Sequence, residues 1–333
     1  MKTRAWTLIG RPVGLPTRDL FALGEFDLAP LADGEIRVRN LWLTVGPAMR
    51  VRMSAESRGY LPPYDLATPL SGWAIGEVVH SRCGKWAIGD LAVHQYGLRD
   101  VGQGPSTEFE KIPIPGPDPE HYLNALGSTG YTAYVGLVEI GKPRPGDTLF
   151  VSGAAGAVGS TAIQIGKALG LNVIGSAGGE AKCRLLRELG ADVAIDYKTP
   201  GLLVDKLAAA APGGIDIYLD NVGGEHLDAA LALANPHARF AISGMISSYN
   251  QERASDTMHH LNRIVTQRIR VEGYLPFTDH LDGLSRYRDQ MWSWIQAGTF
   301  RPWQTVREGL DCVPQVVEDL FAGRFTGKPL IRL

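Results

Sequence analysis

Residues 150–159 read Phe150-Val151-Ser152-Gly153-Ala154-Ala155-Gly156-Ala157-Val158-Gly159. An apolar strand end runs into a turn with glycines three apart. Ser160 to Leu169 then has helical spacing, with Ala162, Ile165 and Leu169 on one side, and Gly170 stops it. Glycines at this spacing let the backbone turn tightly and come close to a ligand. The new helix points its free N–H groups at the mouth of the turn, where they and the helix dipole favour a pyrophosphate. Three glycines alone would fit any glycine-rich turn of an α/β sheet. A strand before and a helix after are the context of a dinucleotide turn.

The next strand indicates which dinucleotide. An NAD site usually places an acid about 20 residues past the glycines, at the tip of the following strand, to bind the ribose 2′-OH. Here that strand, Leu171 to Ser176, ends in Ser176-Ala177-Gly178-Gly179 with no acid at its tip. Glu180 opens the next helix, Lys182 lies one turn into it, and the strand after that ends at Tyr197-Lys198. A missing carboxylate with Lys182 and Tyr197 nearby suits a 2′-phosphate, hence NADP(H), with Ser176 at the tip as a further cofactor candidate. Lys198 reads as an ordinary surface charge.

Working outward, Asp147–Ser152, Leu171–Ser176, Asp192–Ile195, Ile215–Asp220, Arg239–Ser243 and Arg270–Tyr274 are candidate strands, with helical stretches between most of them. Such alternation predicts an α/β fold with a doubly wound parallel sheet. Residues before about 120 are β-rich. Glu35-Ile36-Arg37-Val38-Arg39 alternates, Gly76–His80 and Asp90–His94 do so more loosely, and Gly and Pro punctuate often. This predicts a barrel-like domain, left through the proline-rich Ile112–Pro119. The tail carries a helix near Pro314–Phe321 and a strand at Leu330–Leu333, expected back on the first domain. The expected organisation is 1–122 with 301–333 as one domain and 123–300 as the nucleotide domain. The polar stretch Ser247–His260 is a candidate mobile loop beside the cofactor.

Composition narrows the classes. At 333 residues there is chain enough for two domains of about 150 residues each. Apolar residues make up 44% and the net charge is −2, so there is no basic footprint for nucleic acid or an acidic membrane. No apolar run reaches the roughly 18 residues of a membrane span, and the N-terminus does not read as a signal peptide, so a cytoplasmic protein is expected. The three cysteines, Cys83, Cys183 and Cys312, have no paired spacing, and the eight histidines do not cluster. No metal site is expected.

Five segments then resemble a known family. They are Asn40-Leu41-Trp42-Leu43-Thr44-Val45-Gly46-Pro47-Ala48-Met49-Arg50, Gly130-Tyr131-Thr132-Ala133-Tyr134, the turn Ala154–Ser160, Asp220-Asn221-Val222-Gly223-Gly224 and Gly244-Met245-Ile246-Ser247-Ser248-Tyr249-Asn250. In order and spacing the chain resembles the zinc-independent medium-chain dehydrogenase/reductases. The branch is that of the prostaglandin reductases, also known as leukotriene B4 12-hydroxydehydrogenases, and the alkenal double-bond reductases. The resemblance implies a GroES-like catalytic domain beside a Rossmann domain, NADP(H), homodimers, and reduction of the C=C bond of an enone or enal. By position it puts the pyrophosphate on the turn, at Ala155, Gly156, Ala157, Val158 and Gly159, and the 2′-phosphate on Lys182 and Tyr197. Asn221 and Thr132 become contacts in the cofactor cleft. Tyr249 serves the substrate carbonyl or the nicotinamide ribose, and is the one catalytic candidate.

Two departures stand out. Where the family has Asp-Pro-Tyr-Met-Arg, this chain has Gly46-Pro47-Ala48-Met49-Arg50, so the ring that narrows the substrate pocket is replaced by Ala48. Where the family has Asn before its last Gly-Lys strand, this chain has Phe325. Arg50 faces substrate or cofactor, or makes a structural ion pair. The expected reaction adds a hydride to the β-carbon of an α,β-unsaturated aldehyde or ketone, with a hydrogen-bond donor at the carbonyl oxygen. A zinc alcohol dehydrogenase does not fit, since Gly46 and the Gly72-Trp73 region stand where its ligands would be. An NADPH quinone reductase on the same fold and a non-catalytic NADPH-binding protein are the alternatives.

Overall fold

The computed structural model describes residues 1–55, 61–113, 116–251 and 257–333. Residues 114–115 of the proline-rich exit and 252–256 of the expected mobile loop lie outside the described residues. The chain divides into two units, Met1–Leu123 with Gln304–Leu333, and Asn124–Trp303.

The first unit contributes β1 (Lys2–Leu8), β2 (Phe21–Asp27), β3 (Glu35–Thr44), β4 (Ala74–Ser81), β5 (Leu91–His94), β6 (Val101–Pro105) and β7 (Glu110–Lys111). The second contributes β8 (Thr148–Val151), β9 (Asn172–Ala177), β10 (Val193–Asp196), β11 (Ile215–Asp220), β12 (Ala234–Ile242) and β13 (Arg270–Gly273). The first is then completed by β14 (Gln304–Glu308) and β15 (Lys328–Arg332). The helices needed below are α1 (Ala48–Arg52), α2 (Ser128–Tyr134), α3 (Ala157–Ala168), α4 (Glu180–Glu188), α5 (Leu203–Ala210) and α6 (Gly224–Leu233).

In the second unit six parallel strands lie in the order β10-β9-β8-β11-β12-β13. This is the doubly wound Rossmann order, and its direction of winding reverses between β8 and β11. The inner strands β8, β9 and β11 are buried nearly throughout and mainly apolar, as parallel strands covered on both faces are. Phe150, Tyr218 and Phe240 stand side by side on β8, β11 and β12. Phe150 stacks on Tyr218 at 5.1 Å, and Tyr218 meets Phe240 edge-on at 5.2 Å. All three rings are fully buried. This cross-strand ladder pins the register at the point where the winding reverses.

Strand β12 starts five residues earlier than its periodicity predicts. Asn235-Pro236-His237 reads as a turn, and His237 does take φ +65°. The ladder absorbs it as a register shift between Ile215 and Ile217 of β11 and resumes at Arg239.

The first unit is a mixed sheet, β14-β15-β3-β4-β5-β7, with β6 also on β3, and a separate hairpin of β1 and β2. Among its described strands only β14 and β15 pair in parallel. Its core gathers Leu43, Met49, Val316, Val317, Phe325 and Ile331. The architecture is α/β: a Rossmann sheet and a separate β-rich unit.

Candidate active site

Most candidate residues of the second unit sit at or just past the carboxyl ends of its strands, where open α/β sheets bind ligands, while Thr132 lies on α2. After β8 the chain passes Ser152 and turns at Gly153, which takes φ +57°. The Gly156 N–H bonds back to the Gly153 carbonyl at 3.0 Å, and the Ala154 N–H bonds to the Ser176 carbonyl at the tip of β9 at 2.9 Å. Helix α3 begins at Ala157, so Ala157, Val158 and Gly159 are its first turn, where N–H groups have no helical partner. A Cβ at Gly159 would lie 2.5 Å from the Ala154 Cα and 2.6 Å from the Gly153 oxygen. Only glycine lets the helix press on its own turn there. A Cβ at Gly156 would meet only the Gly153 oxygen, at 3.3 Å, so that stretch of backbone is open to a ligand. Ala155 is buried within the turn. The Ser176 side chain is wholly buried, so Ser176 meets the turn through its backbone carbonyl.

The tips of β9 and β10 are tied together by Asp196. Its Oδ1 accepts the N–H groups of Gly179 and Lys198, each at 2.9 Å, and those bonds hold its carboxyl below the usual range. The acid missing from the tip of β9 is thus found one strand over, engaged by backbone. A Cβ at Gly178 would lie 2.8 Å from the Lys198 side chain and 2.9 Å from the Tyr197 hydroxyl, so both rest on a bare glycine. Lys182, half-buried on α4, has its ammonium pushed below the ordinary lysine range, first by burial and then by the charge of Lys198. The structure therefore brings Lys182, Tyr197 and Lys198 together, with Lys198 exposed and its stem resting on Gly178. Its sequence signal was adjacency to Tyr197; what sequence could not show was the glycine bed beneath it. Two neighbouring ammonium groups beside a phenol could hold a dianion.

At the end of β11, the fully buried Asp220 accepts four hydrogen bonds on Oδ1. They come from the Ser152 hydroxyl at 2.8 Å, the Tyr218 phenol at 2.7 Å, and the Val222 and Gly223 N–H groups at 2.9 Å each. Asn221 donates its Nδ2 to the Ser152 carbonyl at 2.8 Å, and its Oδ1 accepts from the Ser243 hydroxyl at 2.6 Å. Ser243 also engages the phenol of Tyr274, which donates to the Thr132 carbonyl at 2.8 Å; burial drives that phenol far above its ordinary range. The Thr132 hydroxyl is turned inward to the Ser128 carbonyl at 2.7 Å. Thr132 and Asn221 are thus linked through Tyr274 and Ser243, neither of which the sequence singles out.

The Tyr249 segment hangs on the same strand end. Ile246 N–H donates to the Asn221 carbonyl at 3.3 Å, and Ser247 donates to the Val222 carbonyl through its N–H at 3.1 Å and its hydroxyl at 2.6 Å. The Tyr249 oxygen accepts the Met245 N–H at 3.3 Å. Tyr249, Asn221 and the glycine turn are brought together; Tyr249 is partly exposed.

In the first unit, Gly46 and Pro47 lead from β3 into α1, which Ala48 opens half-buried. Arg50 is buried, and its guanidinium donates to the Gly14 carbonyl at 3.1 and 3.2 Å and to the Ser54 hydroxyl at 3.3 Å. These bonds fasten the segment around Gly14 to α1. Phe325 lies in the apolar core of this unit, with the Arg307 guanidinium 5.4 Å from its ring centre. Among the described residues no three His, Cys, Asp or Glu side chains come together as a metal site would require, and no helix is long and apolar enough to cross a membrane.

Comparisons with known proteins agree with this geometry. The family described as N-terminal domain of oxidoreductase matches residues 4–112, and that described as zinc-binding dehydrogenase matches residues 157–296. NADPH-dependent curcumin reductase of Escherichia coli is 35% identical, over 100% of this chain and 97% of the relative. A NADP(+)-dependent 2-alkenal reductase of Nicotiana tabacum is 36% identical, over 91% and 88%. The crystal structure of CurA from Vibrio vulnificus in complex with NADPH superposes with a TM-score of 0.93 at 34% identity, covering 99% of this chain and 98% of that one. The chain belongs to the zinc-independent medium-chain dehydrogenase/reductases, in the branch that holds the alkenal reductases.

Proposed function

We propose that the protein is an NADPH-dependent reductase of the C=C bond of α,β-unsaturated aldehydes and ketones. The observation that carries this reading is the array at the strand ends, where the open Gly156 backbone, the Lys182–Tyr197–Lys198 cluster, Asn221 and Tyr249 border one glycine turn. The first N–H groups of α3 would hold the diphosphate, and the three-residue cluster would hold the 2′-phosphate. The open backbone at Gly156 and the absence of an acid at the tip of β9 fit those groups. When bound, the dihydronicotinamide supplies a hydride for the β-carbon of the substrate.

Tyr249 serves the other end of the conjugated system. Its oxygen already accepts the Met245 N–H, which leaves its own proton to donate toward charge developing on the carbonyl oxygen, or toward the ribose hydroxyl that does so. Asn221 is held at both ends of its amide and orients the nicotinamide half. The α-carbon takes its proton from solvent or a hydroxyl. Ala48, where the family carries a ring, is assigned by the resemblance to the substrate pocket, so bulky or aryl-substituted enones are expected substrates. In this reading the first unit is the catalytic domain, the second binds NADP(H), and the protein works as a homodimer, points that lean on the family; a cytoplasmic location is expected from the sequence.

A side-by-side assay of NADPH oxidation with 2-alkenals, 2-alkenones and quinones tests the reading. Turnover of the first two with accumulation of the saturated carbonyl is expected. Turnover of quinones alone would move the assignment to quinone reduction, and NADPH binding without turnover would make it a binding protein.

A further inference from the structure

Asp220 falls outside the residues assigned to ligand above, yet the nicotinamide half of that assignment hangs on it. Its side chain is completely buried, and Oδ2 has no partner among the described residues. All four donors converge on Oδ1. A carboxylate taken out of water is tolerated only when hydrogen bonds replace the lost solvent, so donors facing it are held in place. Here the donors come from three parts of the fold. Ser152 follows β8 and leads into the glycine turn, Tyr218 belongs to the ring ladder of the sheet, and the Val222 and Gly223 N–H groups form the turn that carries Asn221.

The consequences reach further through the backbone. With its hydroxyl proton donated to Asp220, Ser152 Oγ is left to accept, and it accepts the Asn221 N–H at 2.9 Å. The Asn221 amide side chain then closes on the Ser152 carbonyl. The backbone carbonyl of Asp220 accepts the Ser243 N–H at 2.9 Å and the Gly244 N–H at 3.2 Å, which starts the segment ending at Tyr249. The next two carbonyls, of Asn221 and Val222, accept Ile246 and Ser247. One buried carboxylate therefore fixes the turn from which the glycine loop, Asn221 and the Tyr249 segment all take their bearings.

We propose that Asp220 is the positioning residue for the nicotinamide half of the bound cofactor, acting through Ser152 and Asn221. This rests on the function proposed above. The adenosine end, at Lys182, Tyr197 and Lys198, is built on β9 and β10 and takes its order from Asp196 instead. Loss of Asp220 should therefore separate the two ends of the ligand.

The test uses the full-length protein and two probes, NADPH and 2′,5′-ADP, which has the adenosine phosphates and no nicotinamide. Asp220→Ala should raise the Kd for NADPH about tenfold or more while that for 2′,5′-ADP stays within about threefold. It should also lower kcat with a 2-alkenone at saturating NADPH. Asp220→Asn keeps one oxygen to accept the four donors and should recover most of both losses. Equal weakening of the two probes, or no weakening of either, overturns the proposal. If Asp220→Ala does not fold, Ser152→Ala removes the hydroxyl that joins Asp220 to the Asn221 N–H while leaving the other three donors on Asp220, and should show the same separation; its absence there also overturns the proposal. Wild-type protein that fails to bind NADPH would instead refute the proposed function itself, independently of Asp220.

Discussion

Lys328 offers a quantitative test of the packing of the first unit. It begins β15, opposite Gln304 of β14, and is only 4% exposed. No charged group offsets its burial, which by itself pushes the ammonium down from 10.5 to about 8. A depression of about 2.5 pKa units at roughly 1.36 kcal/mol each means the buried charge costs about 3 kcal/mol at neutral pH. The sign follows from linkage. Between about pH 8 and 10.5 the unfolded chain binds more protons at this site than the folded one, so wild-type stability from this group rises with pH through that window. Lys328→Met replaces the ammonium with an unbranched apolar side chain that can adapt to the same space. Urea unfolding of the transition carried by the first unit should show the variant more stable at pH 7 by about 3 kcal/mol, a midpoint rise on the order of 1 M. The advantage should shrink toward pH 10. A variant as stable as wild type at pH 7, or less stable, would refute the reasoning.

Further outcomes follow from the second unit. Lys182→Ala should raise the KM for NADPH about tenfold or more and leave that for NADH nearly unchanged, since a charge-assisted contact contributes about 1.5–3 kcal/mol; equal effects on both cofactors would remove Lys182 from the 2′-phosphate. Tyr249→Phe should lower kcat with a 2-alkenone roughly 10–1,000-fold while NADPH affinity holds. A nearly normal Phe variant would leave the ribose hydroxyl as the donor.

The Rossmann order was legible because its evidence is local. A strand, three spaced glycines and a helix occupy twenty consecutive residues around Gly153–Gly159, and the strands after it are short apolar runs between helices. Lys182 and Tyr197 were legible for the same reason, as residues just past strand tips. What sequence could not show is direction and partnership. Lys198 looks like any surface lysine until Gly178 is seen beneath it. Asp196 looks like the end of a strand, though its carboxylate ties two tips together. Asp220 and Tyr274 read as parts of strands, but their side chains organise Asn221 and Thr132 across residues far apart in the chain. Arg50 reads in sequence as either a ligand contact or a structural ion pair, and its described hydrogen bonds run to the backbone near Gly14 and to the Ser54 hydroxyl. Phe325, a departure from the family pattern, has become core, which explains how a position expected to touch ligand can carry a ring.

The central claim is hydride delivery to the β-carbon of an enone. NADPH dideuterated at nicotinamide C4, incubated with the enzyme and 4-phenylbut-3-en-2-one, reads it directly by NMR of the product. The account predicts 4-phenylbutan-2-one with a single deuterium on the carbon bearing the phenyl group. Deuterium on the carbonyl carbon, giving an allylic alcohol with the double bond intact, would contradict it.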